Sequence, residues 1–318
     1  MPEPLTEEEI ARLRAACRSA RFVLDSCMSL LSPPLELGGL SQHSQPELHG
    51  NGFIWRGPHG GPWPSQWISA ATEVAALCTA SKLPLSGLLI DFFCHRVALA
   101  IGAFPSPLGY KGYPRSCCVS LDHVLCHVGI PSSTPLEPGS LVSVDVTLFL
   151  DGFHGDCCAS ALYTPPPEAS EDLPLQTSSP FSRGSLERKK RLIEVAKKAT
   201  QRGIDACREG APLSVIGRAI ESFLGSEGFY SPPALCGHGI GRRFHQPPLI
   251  HHTWAPFASG SFYQGLAFTV EPVVCPSATD LKLEADQWTV SATNKLPGAQ
   301  FEETVLIGAQ GPEILTKP

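Results

Sequence analysis

Charge is scarce in this chain of 318 residues: only 17% are Asp, Glu, Lys or Arg, and the net charge is −6. A broad basic surface of the kind that grips nucleic-acid phosphates is therefore missing. The single basic run, Arg188 to Arg191, reads as the solvated start of a helix. Long apolar runs are also missing. The most apolar window, Leu88 to Gly102, is interrupted by Asp91, His95 and Arg96, well short of the roughly 20 residues that span a bilayer. No secretory leader is evident, because the first residues are acidic and helical. What is plentiful is hydrophobic content, 42%, which marks a globular chain. Twelve cysteines without a leader are expected to be reduced and mostly buried thiols. The adjacent pairs Cys117-Cys118 and Cys157-Cys158 sit in strands, where neighbours point to opposite faces. A zinc-finger reading of Cys126, His127, Cys236 and His238 lacks a second closely spaced cysteine pair.

Thr6-Glu-Glu-Glu9 is a capping box, and Ile10, Leu13, Cys17, Ala20, Leu24 and Cys27 follow at helical spacing. That N-terminal helix of the catalytic domain (1–32) ends before Ser32-Pro-Pro34. Residues 33–87 carry Pro, Gly, His and Ser with no sustained period and read as an insert. A helix resumes near Ile90, and residues 88–318 form the main domain. Within it, 165–185 has the composition of a disordered loop. Leu186 to Cys207 and Leu213 to Phe223 then read as amphipathic helices. Each half offers helices and strands, so an internally duplicated α+β domain is expected.

The densest information lies in Leu141 to Leu150. Val142, Val144, Val146, Leu148 and Leu150 share one face, and Ser143, Asp145, Thr147 and Phe149 the other. Asp151-Gly152 is a two-residue hairpin turn, which pairs Leu150 with Phe153 and Thr147 with Asp156. Asp145 and Asp156 then lie diagonally on one face, roughly 7–8 Å apart at the backbone. Carboxylates so placed can share two divalent ions about 3.5–4 Å apart. A solvated polar face on an edge hairpin fits the same pattern. Three later segments add ligand-type residues: Gly237 to His245, too glycine-rich for a helix; Phe268 to Pro272, with Thr269 and Glu271 on one face; and Ala299 to Ile307, with Gln300, Glu302 and Thr304 on one face. A phosphate-loop reading of the glycines fails on spacing and on the missing strand.

With PSPLGYKGYPRSCCVSLDHVLCH (105–127), VDVTLFLDGFHGD (144–156), GHGIGRRFH (237–245), FTVEP (268–272) and AQFEETVLI (299–307), the chain resembles the type 1 methionine aminopeptidases. These are pita-bread metallopeptidases of family M24, and the likeness is to the short mitochondrial 1D form. Weaker agreement runs through 13–24 and 206–217. The resemblance implies an α+β pita-bread fold, internally duplicated, with an antiparallel sheet covered by helices. It implies removal of initiator methionine from nascent polypeptides when the second residue is small. Two divalent ions (cobalt, manganese, iron or zinc) would be held by Asp145, Asp156, His238, Glu271 and Glu302, with Asp156 and Glu302 bridging. Glu271 would also shuttle protons, His245 would meet the carbonyl oxygen, and His127 would stand near the scissile amide. Thr147 would orient the α-amino group, and Tyr110, Tyr113, Cys118, Phe244 and Trp288 would line the methionine pocket. The implied partners are the nascent chain and the ribosome, with no nucleic acid, no membrane and a monomeric state. The implied location is mitochondrial, although no presequence rich in Arg and Ser precedes the first helix; otherwise it is cytoplasmic.

Five positions depart from the family pattern. Val128 is one residue extra between His127 and Gly129, and the loop is expected to bulge outward there, with Gly129 taking the unusual dihedral. Glu303 stands where histidine is usual, on the face away from the ligands, where an unpaired carboxylate is costly. Pro107 and Cys157-Cys158 also differ. These departures leave room for a catalytically impaired binding protein of the same fold, and the ligand set alone also suits a proline-specific peptidase of the prolidase or aminopeptidase P kind.

Overall fold

The computed structural model describes residues 3–31, 47–49, 52–54, 63–81, 83–165 and 183–317. Helix α1 (Glu7–Ser29) begins at the predicted capping box: Thr6 accepts from the Glu9 amide, and the Glu9 carboxylate accepts from the Thr6 amide. Helices α2 (Ser65–Ala80), α3 (Gly87–Ala100), α4 (Arg183–Asp205) and α5 (Val215–Glu227) follow, with one 3-10 turn at Tyr110–Gly112. Helix α2 corrects the reading of 33–87 as a stretch without period. Ala71, Val74 and Cys78 face inward from it, but Pro64 at its N-cap offers no side-chain oxygen to announce a start. The rest of that insert, and the loop-like 166–182, lie outside the described residues.

The main sheet is antiparallel and has nine strands: β1 (Phe104–Pro105), β2 (Cys118–Leu121), β3 (Leu141–Leu150), β4 (Phe153–Leu162), β5 (Cys236–Gly239), β6 (Gln246–His251), β7 (Ala267–Val270), β8 (Glu302–Gly308) and β9 (Gly311–Ile314). Their order is β1-β3-β4-β8-β7-β5-β6, with β2 also on β3 and β9 on β8. The predicted valine stripe of β3 enters a core with α1, α2 and α3. A second core joins α4 and α5 to β7 and β8, and Phe301 packs against both. Each half-sheet therefore has its own helical cover, as the predicted duplication requires. The opposite face of β3 and β4 is left for polar residues.

Two sequence expectations change here. Ala299 to Ile307 is not one strand: Ala299–Gln300 pairs with Val273–Val274, and the main-sheet strand starts at Glu302. The break falls at Phe301, whose carbonyl accepts from Thr200 Oγ1 of α4 (2.8 Å). Glu303 is not unpaired. It takes a hydrogen bond from Thr316 Oγ1 (2.5 Å) and lies 4.0 Å from the buried Arg21, itself paired with Asp25 at 2.8 Å. Burial still pushes its carboxyl up to about 7, against the pull of Arg21.

Candidate metal centre

The β3–β4 hairpin closes as its turn dictates, with Asp151 and Gly152 both at positive φ. The register pairs Leu150 with Phe153, Thr147 with Asp156 and Asp145 with Cys158. Thr147 Oγ1 donates to Asp156 Oδ1 (2.6 Å), and the Asp156 amide donates to Thr304 Oγ1 on β8 (3.1 Å). Glu302 is directly opposite Cys158 and so joins the same face. From the other half, the His238 amide donates to Thr269 Oγ1 (3.0 Å), whose hydroxyl donates to Glu271 Oε1 (2.7 Å). Gly239 is required beside His238, because a Cβ there would meet the Pro247 carbonyl at 2.2 Å.

These contacts bring residues from both halves to one point. His238 Nε2 lies 3.7 Å from Asp156 Oδ2 and 3.7 Å from Glu271 Oε1. Among the described residues, donor atoms of Asp156, His238 and Glu302 lie within 4.8 Å of one another, all buried. His238 Nδ1 faces the Gly239 carbonyl at 3.1 Å, so it carries the proton and leaves Nε2 free as a donor. Burial holds the His238 ring neutral, down to about 4.

The carboxylates are under strain of a different kind. Burial pushes Asp145 up to about 6, with His127 pulling it down, and Glu271 up to about 8, against the Thr269 hydrogen bond. Asp156 and Glu302 are raised well above the ordinary range, first by burial and then by neighbouring carboxylates. Glu302 Oε1 is buried with no hydrogen-bond partner. These four carboxyls hold protons while the site is bare, and they become a full set of anions beside the neutral imidazole only where cations compensate them. Their oxygen-rich donor set suits a pair of divalent first-row ions better than a closed thiolate site.

The pocket residues form two groups beside this point. Tyr110 stacks on His245 (5.1 Å) and approaches Phe244 (4.9 Å), while His245 lies 4.2 Å from the His238 ring. Tyr113 meets Trp288 edge-on at 5.1 Å, and its hydroxyl lies 3.1 Å from Cys118 Sγ. His127 is exposed, and its field acts on Asp145, Glu271, His238 and His245. The outward bulge expected at Val128 does not occur. Val128 is buried, the positive φ (56°) falls on His127, and the Val128 carbonyl accepts from the Tyr113 hydroxyl (2.5 Å). That inward hydrogen bond outweighs the freedom of Gly129.

Two supporting histidines were missed in the sequence. His252 accepts from the Glu271 amide through Nε2 (3.1 Å), and no local pattern announces it. His154 stacks on Phe244 at 5.7 Å and contacts Ser106 Oγ at 2.8 Å. Strand alternation puts His154 on the face of Asp156, so it was within reach of the same argument.

Residues 11–309 match metallopeptidase family M24. The chain belongs to this family. It is 41% identical over 237 residues to human mitochondrial methionine aminopeptidase 1D, covering 74% of this chain and 64% of that protein. It thus spans less than two thirds of that relative's length. Methionine aminopeptidase 2 of Mycobacterium tuberculosis is 36% identical over 253 residues, 78% of this chain and 81% of that one. The crystal structure of methionine aminopeptidase from Rickettsia prowazekii superposes with a TM-score of 0.74 at 29% identity, covering 99% and 100% of the two chains. The fold of this M24 chain is accordingly the pita-bread fold. No helix among its described residues is long and apolar enough to cross a membrane.

Proposed function

We propose that this chain removes methionine from the N-terminus of nascent polypeptides whose second residue is small. The observation that carries this reading is the meeting of Asp156, His238, Glu271 and Glu302, with Asp145 on the same face of β3, beside two groups of aromatic side chains. Asp145, Asp156 and Glu302 would hold one divalent ion, and Asp156, His238, Glu271 and Glu302 the other. When bound, the pair supplies Lewis acidity and an activated water near neutral pH.

The chain's own groups do the rest. Glu271, whose carboxyl is raised by burial in the metal-free site, would take and return the proton of the reaction once the ions hold it as a carboxylate. Thr147 gives its only proton to Asp156, which leaves its lone pairs for the N–H groups of the substrate's α-ammonium. His245 offers an N–H to the carbonyl oxygen, and His127 stands at the exposed side for the leaving amine. Tyr110 and Phe244 on one side, and Tyr113, Trp288 and Cys118 on the other, suit an unbranched thioether through sulfur–ring contacts of about 0.3–1.5 kcal/mol. Those aromatic walls favour methionine over the proline specificity open to the fold. The reading extends to a monomer that meets its substrate at the ribosome, in mitochondria as for the human 1D protein.

Protein loaded with Mn or Co should release methionine from Met-Ala-Ser and Met-Gly peptides but spare Met-Phe peptides. Acetylation of the substrate amine should abolish release, since the amine must sit free near Asp145 and Thr147. Amino-acid analysis of the products measures both. Silence on every Met-small peptide would sink the reading, and preferential cleavage of Ala-Pro peptides would replace it with a proline-specific one.

A further inference from the structure

We propose that Thr289, a residue outside the ligand and pocket sets, positions His127 by gripping one peptide unit. The inference rests on the reading of His127 as the group beside the scissile amide.

His127 adopts a left-handed backbone conformation (φ 56°) that side-chain-bearing residues rarely occupy. Something must hold it there. Upstream, Cys126 is fixed by ladder pairing with Val290. Downstream, the peptide between Val128 and Gly129 is held at both ends: its carbonyl accepts from Tyr113 Oη (2.5 Å), and its N–H donates to Thr289 Oγ1 (3.2 Å). Tyr113, Val128 and Thr289 are all buried, so water does not compete for either bond. A peptide plane bonded at its oxygen and its hydrogen cannot turn over without losing both.

Thr289 is prepared for this task. Its single hydroxyl proton goes to Asp286 Oδ2 (2.5 Å), which turns a lone pair toward Gly129. Asp286 Oδ1 meanwhile accepts from the Trp288 and Thr289 amides (3.0 and 2.9 Å) and fixes the turn itself. Gly129 closes the fit. A Cβ there would stand 3.0 Å from Trp288 Cβ and 3.1 Å from Asp286 Oδ2. His127 is therefore bracketed by neighbours that both attach to the same short segment, Thr289-Val290. The extra residue Val128 supplies the carbonyl that makes the second grip.

The test is a double-mutant cycle on methionine release. T289V keeps the shape of Thr289 and removes the acceptor; it is expected to lower kcat about tenfold with KM within about twofold, because a small misplacement of a reacting group acts on the chemical step. T289S restores the hydroxyl and should stay within about twofold of the parent. In the H127A background, T289V should change nothing further, since the effect runs through His127. An unchanged kcat in T289V, or an equal loss with and without His127, overturns the proposal. Hydrogen exchange provides the second arm. The Gly129 amide should be protected in the parent and in T289S, and exposed in T289V and T289A at matched metal content. If the parent releases no methionine at all, the functional reading fails, and exchange alone decides the grip: a Gly129 amide as fast in the parent as in T289V overturns it.

Discussion

Glu302→Gln is expected to lower kcat/KM on a Met-Ala peptide by about 10³-fold or more, while making the metal-free protein more stable. The first effect follows from the ions' share in the reaction, several kcal/mol at about 1.4 kcal/mol per decade. The second follows from the site itself. Glu302 is buried, its Oε1 has no partner, and its carboxyl is raised by burial and then by Asp156, Glu271 and Asp145. An amide of the same shape removes that repulsion. Metal analysis and melting curves with and without Mn check both halves. Retained activity, or parent-like metal content in the variant, would remove Glu302 from the ligand set.

The same groups fix how metal binding depends on pH. Asp145 titrates in the folded chain at about 6 and Glu271 at about 8, against roughly 4 for unfolded carboxyls. A carboxyl raised in the fold stabilises below its unfolded pKa, and that contribution is lost as pH climbs through the folded value. In the metal-free protein, this loss spans about pH 4 to 8. Ions must displace those protons, whereas His238, neutral above about 4, has none to give. Added Mn should therefore raise Tm more at pH 7.5 than at pH 5.5. Calorimetry in buffers of different ionisation enthalpy should count protons released on binding. Equal Tm shifts at both pH values, with no proton release, would contradict the coupling.

How much of this could be read beforehand depends on how local each cause is. The Asp145–Asp156 geometry was legible because a period of two and a two-residue turn leave one register for β3 and β4. For His238, Glu271 and Glu302, local pattern gave only which neighbours share a face; family likeness had to supply their meeting point. The break at Phe301 was hidden because it depends on Thr200, a hundred residues away on another element. His127 was misjudged for the same reason. Glycine's permissiveness suggested the unusual dihedral at Gly129, but with the Tyr113 hydroxyl bonded to the Val128 carbonyl it falls two residues back, on His127. Helix α2 carried a usable signal in Trp67, Ala71, Val74 and Cys78 at helical spacing, without a cap to mark its start.

His245→Ala is expected to cost about 10²- to 10³-fold in kcat, the range for losing one donor to a carbonyl oxygen that gains charge. Metal content should stay at the parent level, because His245, with its ring centre 4.2 Å from that of His238, is outside the proposed ligand set. The ring packs in a triangle with Tyr110 at 5.1 Å and Phe244 at 4.1 Å, so its direction is set before substrate arrives. Burial, followed by the fields of His238 and His127, brings its pKa down to about 3. A depressed histidine is neutral above that value, so in the proposed role His245 would donate between pH 5 and 9 as an uncharged imidazole. It should then add no limb to the kcat profile over that range, and the loss in the alanine variant should be the same at pH 6 and pH 8. His245→Gln, whose amide also offers an N–H without titrating, should recover part of the rate equally at both. A parent profile with a limb near pH 6 that disappears in His245→Ala would mean that the ring works as a charged acid instead. An alanine variant within threefold of the parent would take His245 out of the reaction altogether.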